Sequence, residues 1–312
     1  MQEKKKEPKK HHYVQQSYLK GFQYGNKKIP QIVVFIKDEP LKEPYISAIK
    51  DTACEKDFHK IKVEDSYDRT TVEELLSMIE SDVIQNIHEV INNKQILDEN
   101  KELLAIMILL MKARVPQNVE ALKHHFERML ETIAEVNFSQ NNMGLSGTFK
   151  DNFRLTLNNN LPISQMLKYI ANEKAIYLIM SMNFSLVKAP DNYPFVCSDA
   201  PVSYYCKNYN SGRGVGLSTP DLEIFLPLDK NFGLICTRKN ILSYKELNKE
   251  EVTQLNRRTV ITAERYIFSP IKENYIKELI ENNKNRFSGI RYLESSLQDG
   301  LLQYSAYIPV TD

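Results

Sequence analysis

The sequence predicts an α+β protein, with a helix-rich first half packed against a mostly antiparallel or mixed sheet formed by the second half plus N-terminal strands. Three patterns point to it. Apolar residues recur at three- and four-residue spacing from Val72 to Ile91 and again from Val119 to Ile133, the signature of amphipathic helices. From Phe184 to Arg238 the pattern becomes short β-branched and aromatic runs separated by Pro, Asn and Gly. Ahead of the helices, Gln31 to Ile36 is apolar and β-branched between Pro30 and Asp38-Glu39-Pro40, which reads as a strand.

In chain order, residues 1–10 form a lysine-rich arm expected to be disordered. Residues 11–312 read as a single α+β domain, with sub-halves 11–140 and 160–312 joined by the Asn-, Gly- and Ser-rich loop 138–160. Tyr45 to Ile49 and Ile61 to Val63 are short strands, and His59 between them reads as surface. Thr70 or Thr71 caps the first long helix, which carries Glu73 and Glu74 in its first turn. Leu103 to Met111 is apolar almost all round, a central buried helix stopped before Pro116. Gln117 to Val136 is amphipathic; its His124-His125 pair has no carboxylate at zinc-protease spacing and reads as structural or exposed. Ser164 to Ser181 resumes the helical pattern. Strands follow at Phe184–Lys188, Phe195–Cys197, Val202–Cys206, Glu223–Leu228 and Gly233–Arg238. Ser211 to Gly216 is glycine-rich but lacks the phosphate-loop spacing and its lysine, so it reads as a mobile loop. Asn248 caps a helix to Arg265, Tyr266 to Phe268 is a strand, Ile271 to Asn283 is the last helix, and Ile290 to Tyr292 is an edge strand.

Composition excludes several classes. The formal net charge is +1 over 312 residues, so no global field steers the chain to nucleic acid, and such a partner needs a local basic patch. No apolar run approaches the ~18 residues of a membrane span, and no apolar segment follows the N-terminal lysines as a secretory signal requires. Cys54, Cys197, Cys206 and Cys236 lack paired C-x-x-C spacing, which argues for reduced thiols in the cytoplasm and against a structural zinc site.

The candidate site starts from His11-His12-Tyr13-Val14-Gln15-Gln16. Adjacent histidines on a strand face opposite sides, so one of the two enters a pocket. An imidazole shuttles protons near neutral pH or binds a metal, and Gln16 offers an uncharged amide. Glu80 lies four residues from both Leu76 and Ile84, on an apolar stripe where an unpaired carboxylate is costly. A buried Glu–Arg pair explains it as well as a general base or metal ligand does. Arg114 projects from the end of the buried helix, a partner for Glu80 or for an anionic ligand. Asp199 follows a strand in Ser198-Asp199-Ala200-Pro201, facing a cleft or closing an Asx turn. Asn256 sits on the apolar face of the Asn248-capped helix.

These landmarks resemble a bacterial domain-of-unknown-function family, number forty-two thirty-eight. The opening His-His-Tyr-Val-(Pro)-Gln-x-x-Leu-x-x-Phe is the most specific. With it go Met78-Ile79-Glu80, Arg114-Val115-Pro116, Ser198-Asp199-Ala200-Pro201, Leu226-Pro227-Leu228, Asn256 and Arg265-Tyr266-Ile267-Phe268-Ser269. The similarity spans most of the chain. Gln15 departs from it, standing where the family usually has Pro. The resemblance implies a polar site, and a bacterial defence or toxin role, but no settled chemistry.

The expected function is therefore a phosphodiesterase or nuclease acting on nucleic acid, RNA favoured, or on nucleotides. His11, His12, Glu80 and Asp199 would be catalytic, with Gln16, Arg114 and Asn256 binding substrate. Glu80 and Asp199 would hold Mg²⁺ or Mn²⁺ if a metal is used. The alternative is a non-catalytic module that binds protein or nucleic acid, its polar groups holding the fold. A nucleophilic enzyme using Cys197 or Ser198 ranks last, for want of a nucleophile elbow.

Overall fold

A computed structural model describes residues 10–140, 157–158, 160–209, 214–297 and 300–312. The arm before Lys10, most of the loop 138–160 and the opening of the glycine-rich loop at Ser211 lie outside those residues.

The chain opens with β1 (Lys10–His12) and the single turn α1 (Gln16–Leu19), whose Tyr18, Leu19 and following Phe22 are buried. β2 (Gln31–Ile36) and β3 (Tyr45–Ala48) form an antiparallel pair. β4 (Cys54–Lys56) returns to β1, placing His11 opposite Glu55 and His12 opposite Cys54. β5 (Ile61–Val63) and β6 (Ser66–Asp68) make a small hairpin. The helical block follows: α2 (Thr71–Asn93), α3 (Asp98–Ala113), α4 (Pro116–Gln140), α5 (Asn160–Ile170) and α6 (Glu173–Met180).

The strands of the second half are β7 (Asn183–Lys188), β8 (Cys197–Ser198), β9 (Ser203–Tyr205), β10 (Glu223–Pro227), β11 (Phe232–Thr237) and β12 (Tyr244–Glu246). α7 (Lys249–Thr262), β13 (Tyr266–Ser269), α8 (Asn274–Glu281) and the hairpin of β14 (Gly289–Leu297) with β15 (Gly300–Ile308) complete the fold. Five strands form one sheet in the order β12-β7-β11-β10-β9, antiparallel except where β12 runs parallel to β7. Four form a second, wholly antiparallel sheet in the order β3-β2-β13-β8, so N-terminal strands join the C-terminal half as expected of this α+β class.

The main core packs α3 and one face of α2 against the five-stranded sheet and the α1 turn. α3 supplies Leu104, Met107, Ile108 and Met111, all fully buried, as its unbroken apolar sequence requires. The α2–α3 corner is tied by buried amides: Asn100 Nδ2 donates to Asn86 Oδ1 at 2.8 Å, and Asn86 Nδ2 donates to the Asn100 carbonyl at 3.1 Å. No described helix is long and apolar enough to cross a membrane, and all four cysteines are free thiols.

Two local expectations are corrected. The helical run 164–181 is two helices, because the Asn172 side chain accepts the Ala175 N–H at 2.9 Å and restarts the ladder. Thr70 holds the N-cap position of α2 as expected, but its side chain makes no capping bond; Asp68 accepts the Thr70 and Thr71 N–H groups instead, at 2.7 and 3.0 Å.

Candidate functional site

Pairing of β1 with β4 draws the first histidine inward. His11 is fully buried, and its Nδ1 accepts the backbone N–H of His59 at 2.7 Å. His59 sits in the turn after β4, where Asp57 adopts a left-handed φ of 59° and the Lys60 N–H closes onto the Asp57 carbonyl at 3.1 Å. The two imidazoles stack with centroids 5.7 Å apart and planes 12° apart. Phe58 packs on His59 at 4.8 Å.

The first turn of α2 then brings a carboxylate to this pair. Glu73 Oε1 bonds His59 Nδ1, so Nδ1 carries the proton and the lone pair resides on Nε2. His59 Nε2 is buried with no hydrogen-bond partner among the described residues. Burial pushes His59 down to about 4; Glu73 opposes this only in part. Burial also resists the ionisation of Glu73, but the His59 bond and the charge of Arg114 outweigh it and hold the carboxyl below its usual value. His59 is therefore a neutral imidazole oriented by an ionised carboxylate, with a bare nitrogen able to accept a proton or bind a cation.

Arg114 frames the cluster from the end of α3. Its guanidinium is almost wholly buried; Nη1 bonds Glu80 and Nη2 bonds the His12 carbonyl. Glu80 lies seven residues after Glu73 on α2, two turns along the same face. Burial raises the Glu80 carboxyl despite the pull of Arg114. This pair locks α2 and α3 to β1, and one guanidinium thus fixes the strand that carries His11.

The placement of the expected residues is uneven. His11, Glu80 and Arg114 meet around the histidine cluster. His12 lies at its edge, half-buried, with Nε2 3.2 Å from the Lys50 carbonyl, and burial lowers its proton affinity. Gln16 is exposed on α1, while the buried neighbour is Gln15, whose side-chain N and O both lack partners among the described residues. Asp199 is taken up by the fold: its two oxygens accept the N–H groups of Glu264, Arg265 and Tyr266 at 2.8, 2.7 and 2.9 Å. Asn256 clamps the approach to β8, accepting Val196 N–H and donating to the Pro194 carbonyl, both at 3.0 Å.

The metal pair expected from sequence is corrected accordingly. Glu80 is committed to Arg114 and Asp199 to three amides, so the two do not form an oxygen-rich cage. The described residues with ligand spacing are His11, His59 and Glu73, whose donor atoms all lie within 4.8 Å of one another. Two imidazoles and one carboxylate suit Mn²⁺ or Zn²⁺ better than Mg²⁺. Within the cluster Glu73 bonds His59 Nδ1 and His11 Nδ1 accepts the His59 N–H, so His59 Nε2 points away from the Glu73 carboxylate, and a cation held by Glu73 and His11 would leave it free.

His59 and Glu73 are the residues that sequence reasoning missed. The available signal was the seven-residue spacing of Glu73 and Glu80 on one helix. His59, read as surface, is 1% exposed.

A family model described as "Protein of unknown function (DUF4238)" matches residues 10–273. No curated protein and no solved structure matches the chain.

Proposed function

The chain belongs to that family, whose description names no activity, and from the site itself we propose that it is a metal-assisted phosphodiesterase acting on nucleic acid, RNA in the first place, or on nucleotides. The observation that carries this reading is the bare, buried Nε2 of His59, oriented through Nδ1 by Glu73 and neighboured by His11. His59 takes or delivers a proton at Nε2, Glu73 stabilises the imidazolium so formed, and Arg114 holds His12 and Glu80 in place. A bound Mn²⁺ or Zn²⁺, held by Glu73 and His11 with His59 Nε2 left free as the base, would supply an activated water and neutralise phosphate charge. Glu73 and the half-buried His12 form the accessible edge, and Lys10 opens β1 beside them. This chemistry suits a cytoplasmic bacterial defence or toxin effector, and the free thiols fit that compartment.

The test is cleavage of labelled RNA and DNA and of bis(p-nitrophenyl) phosphate with Mn²⁺, Zn²⁺ or Mg²⁺, against a chelator control. Product is expected with Mn²⁺ or Zn²⁺ and lost in His59→Ala. Absence of product that depends on His59 overturns the reading.

One set of observations favours a second reading, a non-catalytic module that binds protein or nucleic acid. Asp199, Asn256 and the Glu80–Arg114 pair are all satisfied within the fold. On that reading the histidine cluster is one more internal tie, and His59→Ala lowers stability with no activity to lose.

A further inference from the structure

Lys112, on the last turn of α3, is buried with no carboxylate to match it among the described residues. It is 8% exposed, and among the described residues its Nζ has no ion pair or hydrogen bond. Two aromatic faces take the place of a counter-ion. Nζ lies 3.6 Å from the ring centroid of Tyr307 and 4.1 Å from that of Tyr204. Such a box favours a cation, but it does not neutralise one. Burial alone drives the amine well below its ordinary value, towards the uncharged form.

This amine lies against a cavity of about 590 Å³, within the range of about 300–1,000 Å³ common for small-molecule sites. None of the histidine-cluster residues lines it. Its apolar wall includes Met166, Leu122 and Leu178, and the exposed Lys168 and Asn172 stand at its rim. Among the described residues two lysines line it and no Asp or Glu does.

We propose that this cavity binds a small organic anion, a carboxylate or phosphate monoester with an apolar body, whose charged end pairs with Lys112. The ligand supplies the counter-charge that the fold withholds and keeps the proton on Nζ. Its body covers the apolar wall opposite.

Calorimetric titration of the full chain with octanoate, octyl phosphate and 1-octanol tests this. The two anions should bind at one per chain, at least about tenfold more tightly than the alcohol, as expected of a charge-assisted bond. Lys112→Met should erase that preference. Leu178→Trp, which leaves Lys112 in place and fills the cavity, should weaken both anions. Equal affinity for octanol and octanoate overturns the proposal. So does absence of binding, a preference that survives Lys112→Met, or full binding to Leu178→Trp. The Leu178→Trp arm stands alone if Lys112→Met does not fold.

Discussion

His59 and Glu73 share a proton bridge through Nδ1, which leaves Nε2 as the basic nitrogen, buried and without a partner among the described residues. A neutral imidazole held in one tautomer by a carboxylate is arranged for proton transfer. Glu73→Gln keeps the shape but removes the charge that stabilises the imidazolium. We expect it to lower kcat for phosphodiester cleavage by about 100-fold with KM little changed, since general acid–base groups contribute about 100- to 10,000-fold. Initial rates over a substrate series check this, and a melting curve within a few degrees of wild type shows that the fold is intact.

Arg114 bears the structural load between α3, α2 and β1. Replacing it by Met leaves the Glu80 carboxylate and the His12 carbonyl without their donor. Breaking one partner of a buried ion pair costs about 3–5 kcal/mol. Urea denaturation of Arg114→Met should show a loss of that size. The double variant with Glu80→Leu should lose less than the sum of the single losses, because no charge is then left unpaired.

Asp199 is expected to be required for folding and not for turnover. Its oxygens satisfy three backbone N–H groups at the turn that leads into β13. Leaving buried donors unmet costs about 1–3 kcal/mol each. Asp199→Ala should therefore lower stability by at least about 3 kcal/mol, read by denaturant midpoint, while kcat per folded molecule stays within about twofold of wild type.

What the sequence made legible follows the locality of the forces. Periodicity located α2, α3 and the strands because each is a local pattern of burial. Glu80 and Asn256 were recognisable as polar groups on apolar faces, yet nothing local shows that Asn256 closes onto the Val196 and Pro194 backbone 60 residues away. His59 was illegible for a related reason. Its burial is created when β1 pairs with β4, and its amide then finds His11 across 48 residues. The helix restart at Asn172 and the Asp68 cap were written in local chemistry. Each competed with a neighbour, the apolar spacing through 164–181 in one case and the threonine pair in the other.

Asp68 sets the start of α2 and so the position of Glu73. The Thr71 hydroxyl first, then the Thr71 and Thr70 amides, hold its carboxyl at about 2. Its folded value lies below the unfolded one, about 3.9, so its contribution is complete above about pH 4 and is lost as pH falls towards 2. Asp68→Ala should cost about 1 kcal/mol at pH 7, the usual value of an N-cap. The difference between wild type and variant should shrink between pH 4 and 2. Thermal melts across that range read both effects.

Gln15 offers a stabilising change. Both polar atoms of its buried side chain lack partners among the described residues, a desolvation cost that mutational data put at about 1–3 kcal/mol. Its backbone, φ −59° and ψ 138°, is where proline sits unstrained, and its N–H makes no backbone hydrogen bond among the described residues. The Gln15 carbonyl still accepts the Leu19 N–H at 3.0 Å, a bond that proline retains. Gln15→Pro removes the orphaned amide and narrows the unfolded ensemble, the latter worth about 0.4–1 kcal/mol. Against this stands the small void left by the shorter side chain. The amide term is the larger, so we expect a net gain of about 1 kcal/mol and a higher Tm, with the His11–His59 geometry unchanged. A lower Tm would mean that the Gln15 amide is satisfied in solution, by ordered water for example, and that the polar position is held for a purpose the proline could not serve.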